Sequence, residues 1–142
     1  MSYKFLEGIA TADVAVEARG ESLGEAFGEA ALAMFEVQTD TKKVEPSIEK
    51  KVMIKSEDKE SLLFDWLSKL LYLRDIERMF FSKFNVRVKK FGKNFELIAS
   101  AYGERIDASK HEFRTEVKGI SYSQMEIQEK YKTAKVVVVL DV

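Results

Sequence analysis

The chain switches twice between a two-residue and a helical hydrophobic period, which predicts a strand-rich fold interrupted by two helices. Residues 3–9 mix aromatic and aliphatic side chains. Residues 13–19 alternate, with Val14, Val16 and Ala18 on one face and Ala15, Glu17 and Arg19 on the other. After Gly20 the period lengthens: Leu23, Phe27, Ala30, Ala31 and Met34 form one stripe of a helix expected over 22–36. Ser22-Leu23-Gly24-Glu25 is the capping box that starts it. Gly24 and Gly28 weaken this helix intrinsically, so their presence implies close backbone packing on that side.

Alternation returns over 48–55 through Ile48, Val52 and Ile54. A second helix is expected over 57–74, starting near Ser56, with Glu57 and Asp58 at its positive end. It is apolar over most of its circumference (Leu62, Leu63, Trp66, Leu67, Leu70, Leu71), so it should be nearly enveloped. Residues 80–90 then alternate, turn at Phe91-Gly92-Lys93-Asn94 and return over 95–102. A polar loop over 104–115 leads to a last pair of strands, 117–127 and 134–142. These runs do not follow βαβ order. The expectation is one α+β domain over 1–142, a strand-rich mixed sheet or partial barrel with two principal helices.

The last of these strands ends unusually. Lys135 to Val142 reads as a buried strand that continues to the final residue, although termini normally fray. Asp141 and the α-carboxylate of Val142 then stand side by side, and two such carboxylates repel unless a cation or donors neutralise them. An aspartate within an apolar strand is also costly unless it is exposed or paired.

Composition narrows the chemistry. The 142 residues carry 23 basic and 24 acidic side chains, a net charge of −1, so no bulk basicity draws the chain to nucleic acid. Cysteine is absent, which excludes disulfides, zinc-thiolate sites and thiol catalysis. A single histidine, His111, leaves no histidine cluster to bind a metal, and in its polar loop it is expected to be exposed. No signal-peptide pattern or spanning apolar run is present, and the expected location is cytoplasmic, without a membrane partner. P-loop, dinucleotide and nucleophile-elbow motifs are missing. Lys83, Arg87, Lys89, Lys90 and Lys93, interleaved with Phe84 and Phe91, offer either an aromatic-basic nucleic-acid surface or the solvated outer face of an amphipathic hairpin, and the near-zero net charge favours the latter.

Asp13 and Asp40 taken singly read as turn or strand-end residues. If Asp13, Asp141 and the Val142 carboxylate converge, the site is all oxygen and suits a hard divalent cation: calcium, magnesium or manganese. The residues alone leave the function open.

Over essentially its whole length the sequence resembles the archease family. The resemblance is carried by Thr11-Ala12-Asp13-Val14, Ser22-Leu23-Gly24-Glu25-Ala26-Phe27, Ala33-Met34-Phe35 leading to Thr39-Asp40, and Leu62-Leu63-Phe64-Asp65-Trp66-Leu67. It continues in Ala101-Tyr102-Gly103-Glu104, Lys118-Gly119-Ile120-Ser121-Tyr122 and Leu140-Asp141-Val142. It implies a non-enzymatic activator of an RtcB-type RNA-splicing ligase, promoting guanylylation and repeated turnover in tRNA splicing. It also implies a divalent metal cation held by Asp13, Asp141 and Val142, with Asp40 as a further acidic position. Two family histidines are replaced, by Ala10 before Thr-Ala-Asp and by Ser123 after Tyr122, so roles resting on those imidazoles do not transfer. A chaperone-like module for other RNA-processing enzymes, such as a tRNA methyltransferase, is the alternative. A small metal-dependent hydrolase is a third reading. Sequence-specific nucleic-acid binding is not expected.

Overall fold

Pairing divides the alternating segments between two antiparallel sheets. In this computed structural model, which describes residues 1–7 and 13–142, β1 (Ser2–Leu6) and β2 (Val14–Gly20) open the chain. Helix α1 (Leu23–Gln38), β3 (Ile48–Ser56) and helix α2 (Lys59–Glu77) follow. The remaining strands are β4 (Met79–Phe91), β5 (Asn94–Arg105), β6 (Gly119–Lys130) and β7 (Thr133–Asp141). One sheet has the order β1-β2-β7-β6 and the other β3-β5-β4. The expected α+β class holds. The strands form two open sheets, neither of them a closed barrel.

Both helices lie between these sheets, which is why neither has a broad polar face. Helix α1 packs on β1, β2 and β7 on one side and on β4 on the other. Helix α2 packs on β6 and on β3, β4 and β5. Trp66, Phe27, Phe35, Phe81 and Leu140 are fully buried in the shared apolar core, and Trp66 Nε1 donates to the Phe27 carbonyl at 3.1 Å. Within α1, Gly24 permits the closest approach. A Cβ there would stand 2.2 Å from the Val86 carbonyl oxygen, whereas at Gly28 nothing lies nearer than 3.7 Å. The close packing expected on this side of α1 therefore resides at Gly24.

Helix boundaries follow their caps. Ser22 Oγ accepts from Glu25 N at 3.1 Å, as the capping box requires. For α2 the cap is Asp58, which accepts from Ser61 N at 2.7 Å, while the Ser56 hydroxyl donates to Asp65 at 3.0 Å. The helix therefore begins later than Ser56 suggested, and it ends at Arg78, which takes the left-handed conformation at φ 56°. Helix α1 runs on to Gln38 because the 112–116 segment satisfies its last carbonyls. Arg114 N and Thr115 N donate to Gln38 and Val37 at 3.0 and 3.1 Å, and Arg114 Nη1 donates to Glu36 at 2.8 Å.

Candidate metal-binding tip

Strand β7 is central in its sheet, so its final residues are flanked by β2 and β6. Val14 pairs with Leu140, and Gly119 pairs with Asp141. Asp13 precedes Val14 by one residue, so antiparallel register brings it to the rim where β7 ends. Asp13 is half-buried, Asp141 is exposed, and Val142 packs partly against the core. The Asp141 carbonyl accepts from Lys118 N at 2.7 Å, which fixes the backbone at the rim. Asp40 serves its own turn, capping the 3-10 segment Thr41–Lys43 by accepting from Lys42 N at 3.1 Å. Among the described residues no hydrogen bond or ion pair links it to the rim.

Behind the rim lies a support that the hydrophobic pattern did not single out. Arg74 is only 8% exposed. Its Nη1 donates to Gln38 Oε1 and, at 2.7 Å, to the Val117 carbonyl, while Nε meets Asp75 at 2.8 Å. It thereby joins the C-terminal ends of both helices to the segment that delivers Lys118 to Asp141. One signal was available: Arg74 continues the buried line of Leu67, Leu70 and Leu71.

Comparison with known proteins fixes the family. Residues 3–142 match the model of the Archease protein family (MTH1598/TM1083). The chain belongs to the archease family. Protein archease of Sulfurisphaera tokodaii is 48% identical over 120 residues, covering 84% of this chain and 85% of that one. Protein archease of Methanothermobacter thermautotrophicus is 46% identical over 131 residues, covering 92% and 93%. The solution structure of Methanobacterium thermoautotrophicum protein 1598 superposes with a TM-score of 0.83 at 42% identity, covering 99% and 98% of the two chains. A Thermotoga maritima crystal structure, described as an archease and possible chaperone, shares the fold with a TM-score of 0.60 at 23% identity, covering 98% of each chain.

The acidic groups at the rim are oxygen donors, and their side chains alone would not complete a cation's coordination. Among the described residues no group of three or more His, Cys, Asp or Glu side chains converges to hold a metal. Two aspartates at the rim therefore need further oxygens from the Val142 carboxylate, backbone carbonyls or water. Of the two positions that depart from the family pattern, Ala10 lies outside the described residues. Ser123 is exposed in β6, where its N–H donates to Ser121 Oγ at 3.0 Å. No helix among the described residues is long and apolar enough to cross a membrane.

His111 is buried, only 4% exposed, in contrast to the expectation of an exposed loop histidine. Its Nδ1 accepts from Asp107 N at 2.9 Å, which leaves the Nε2 proton to meet Glu104 Oε2 at 2.8 Å. Glu104 also accepts from Glu45 N at 2.9 Å and pairs with Lys110. Burial alone would raise this carboxyl, but the hydrogen bonds from Lys110, Glu45 and His111 outweigh it and lower the pKa from 4.5 to about 2. A depressed carboxyl stabilises the fold above its unfolded pKa and loses that contribution as pH falls through the folded one. Unfolding free energy should therefore decline from about pH 4.5 to about pH 2. Glu104→Gln should flatten that decline and cost about 1–3 kcal/mol at pH 7, as denaturant titrations across pH will measure.

Proposed function

We propose that this archease-family chain activates an RtcB-type RNA-splicing ligase, promoting its guanylylation and its repeated turnover. Family membership carries the reading, and the meeting of β2 and β7 at an acidic rim supports it. Asp13, Asp141 and the Val142 carboxylate would hold calcium, magnesium or manganese there. The cation would bring positive charge and open coordination positions to a docked partner's phosphate chemistry. The chain's own part is to aim that rim from a strand end braced by Lys118 and Arg74. The test is RNA ligation by a cognate RtcB-type ligase at substrate excess, with and without this protein. Stimulation of both guanylylation and later turnovers is the expected result. A turnover rate unchanged by a molar excess of the protein overturns the reading.

A chaperone-like role toward other RNA-processing enzymes is the second reading, favoured by the description of the Thermotoga relative as a possible chaperone. Co-purification that recovers a tRNA methyltransferase and never the ligase would support it instead.

A further inference from the structure

The outer face of the sheet formed by β3, β4 and β5 gathers cations that the sequence scatters over three strands. Residues paired across a sheet share a face, so the register assembles this surface row by row. Lys51 aligns with Ser100 and Asn85, and Met53 aligns with Ile98 and Arg87. Lys55 aligns with Glu96 and Lys89, and Glu49 with Tyr102 and Lys83. The opposite face, through Val52, Leu97 and Val86, enters the core. On the outer face every position contributed by the two edge strands is exposed.

Five cations therefore stand against two carboxylates on one flat surface of a protein whose net charge is −1. Both carboxylates are engaged locally. Glu96 lies between Lys55 and Lys89 at 3.7 and 3.4 Å, and Glu49 accepts from Ser100 at 2.6 Å. Among the described residues Lys51 and Arg87 have no acidic partner, and Lys83 rests over the Tyr102 ring at 5.1 Å. Between Lys51 and Arg87 a shallow depression of about 530 Å³ is lined on this face by Met53 and Ile98 together with Glu49, Asn85 and Ser100. Met53 is 69% exposed, and Phe91, at the hairpin end, is 56% exposed.

We propose that this face binds the backbone of single-stranded nucleic acid without sequence preference. Cations beside the exposed apolar side chains of Met53 and Ile98, with Tyr102 and Phe91 carrying Lys83 and Lys55 over their rings at the margins, match a chain of phosphates carrying flat bases. An acidic protein surface would leave Met53 and Ile98 without purpose. An open sheet offers no groove that selects particular base edges. This surface is separate from the acidic rim, and its test needs neither ligase nor metal.

The test is fluorescence anisotropy of a labelled 12-residue oligouridylate titrated with the full chain. With about three phosphates neutralised, the logarithm of affinity should fall against the logarithm of salt with a slope of about −2. A Lys51→Glu, Arg87→Glu double variant should bind at least tenfold more weakly with unchanged thermal unfolding. Lys69→Glu, on the exposed side of α2, should bind as the wild type does. Absence of binding at 50 mM salt overturns the proposal, as does equal binding by the double variant. Competition by polyglutamate as effective as by unlabelled oligouridylate would assign the face to acidic proteins and also overturn it.

Discussion

Arg74→Ala is expected to destabilise the protein by about 3 kcal/mol, because it removes the donor to two acceptors that are enclosed by protein. Gln38 Oε1 and the Val117 carbonyl both lose Arg74 Nη1, and Gln38 and Val117 are themselves buried. A cavity of about 200 Å³ lined by Gln38 and Arg74 borders the seam between α1, α2 and the segment leading into β6, and any water there is a poorer donor than the fixed guanidinium. The Asp75 contact adds little, since that carboxylate is 61% exposed and already solvated. Three kilocalories correspond to a fall in Tm of roughly 10 °C for a domain of this size. Arg74→Met separates the two components of the loss, because it retains much of the stem volume and discards only the donors. If Arg74→Met is as stable as wild type, stem packing alone accounts for the effect. The substitution should also act at a distance. Val117 precedes Lys118, whose N–H holds Asp141, so loosening Val117 should weaken cation binding at the rim.

Local chemistry made the helices legible from sequence. Ser22 and Glu25 announce the start of α1 because the residue types of a capping box lie within four positions, although the Glu25 carboxylate accepts from Glu21 N rather than from Ser22 N. Gly24 announced tight packing because a glycine within a helix otherwise only weakens it. The misplaced start of α2 has an equally local reason: Ser56 and Asp58 both have the chemistry of a cap, and only the fold gives Ser56 another partner in Asp65.

What the sequence concealed depends on distant pairing. The division into two sheets rests on β7 joining β2 from the opposite end of the chain, a choice that periodicity does not encode. His111 looked exposed because its neighbours are polar. Its ring instead packs edge-on against Phe80 of β4 and bonds to Glu104, which also holds the backbone of Glu45, far outside the polar loop around residue 111. Arg74 was hidden for the converse reason, since a cation late in a helix is ordinarily explained by the helix dipole. At the acidic rim, the chain-end strand suggested a carboxylate pair, the residues alone left Asp13 as a conditional third member, and the family resemblance implied it as a ligand. The register of β2 against β7 brings Asp13 to the same rim as Asp141.

The largest functional effects are expected from Asp13→Ala, Asp141→Ala and a C-terminal extension beyond Val142. Each removes or displaces one proposed oxygen donor from a rim where, among the described residues, no third acidic side chain converges. Loss of a supporting residue around a metal site typically costs about 10–100-fold in affinity, so loss of a direct ligand should cost more. Stability should respond in the opposite sense. Asp141 is exposed, and neighbouring carboxylates repel when no cation is present, so the metal-free Asp141→Ala protein should unfold at the same temperature as wild type or slightly higher. Asp40→Ala provides the contrast. It should lose about 1 kcal/mol with the cap of the 3-10 turn, yet keep the cation affinity of the wild type. Calcium and manganese calorimetry on these four proteins, paired with thermal unfolding in a chelator, separates ligand loss from misfolding. Affinity unchanged by the extension would remove Val142 from the donor set. If all three rim proteins stimulated the ligase as wild type does, the rim could not be the part that the ligase uses.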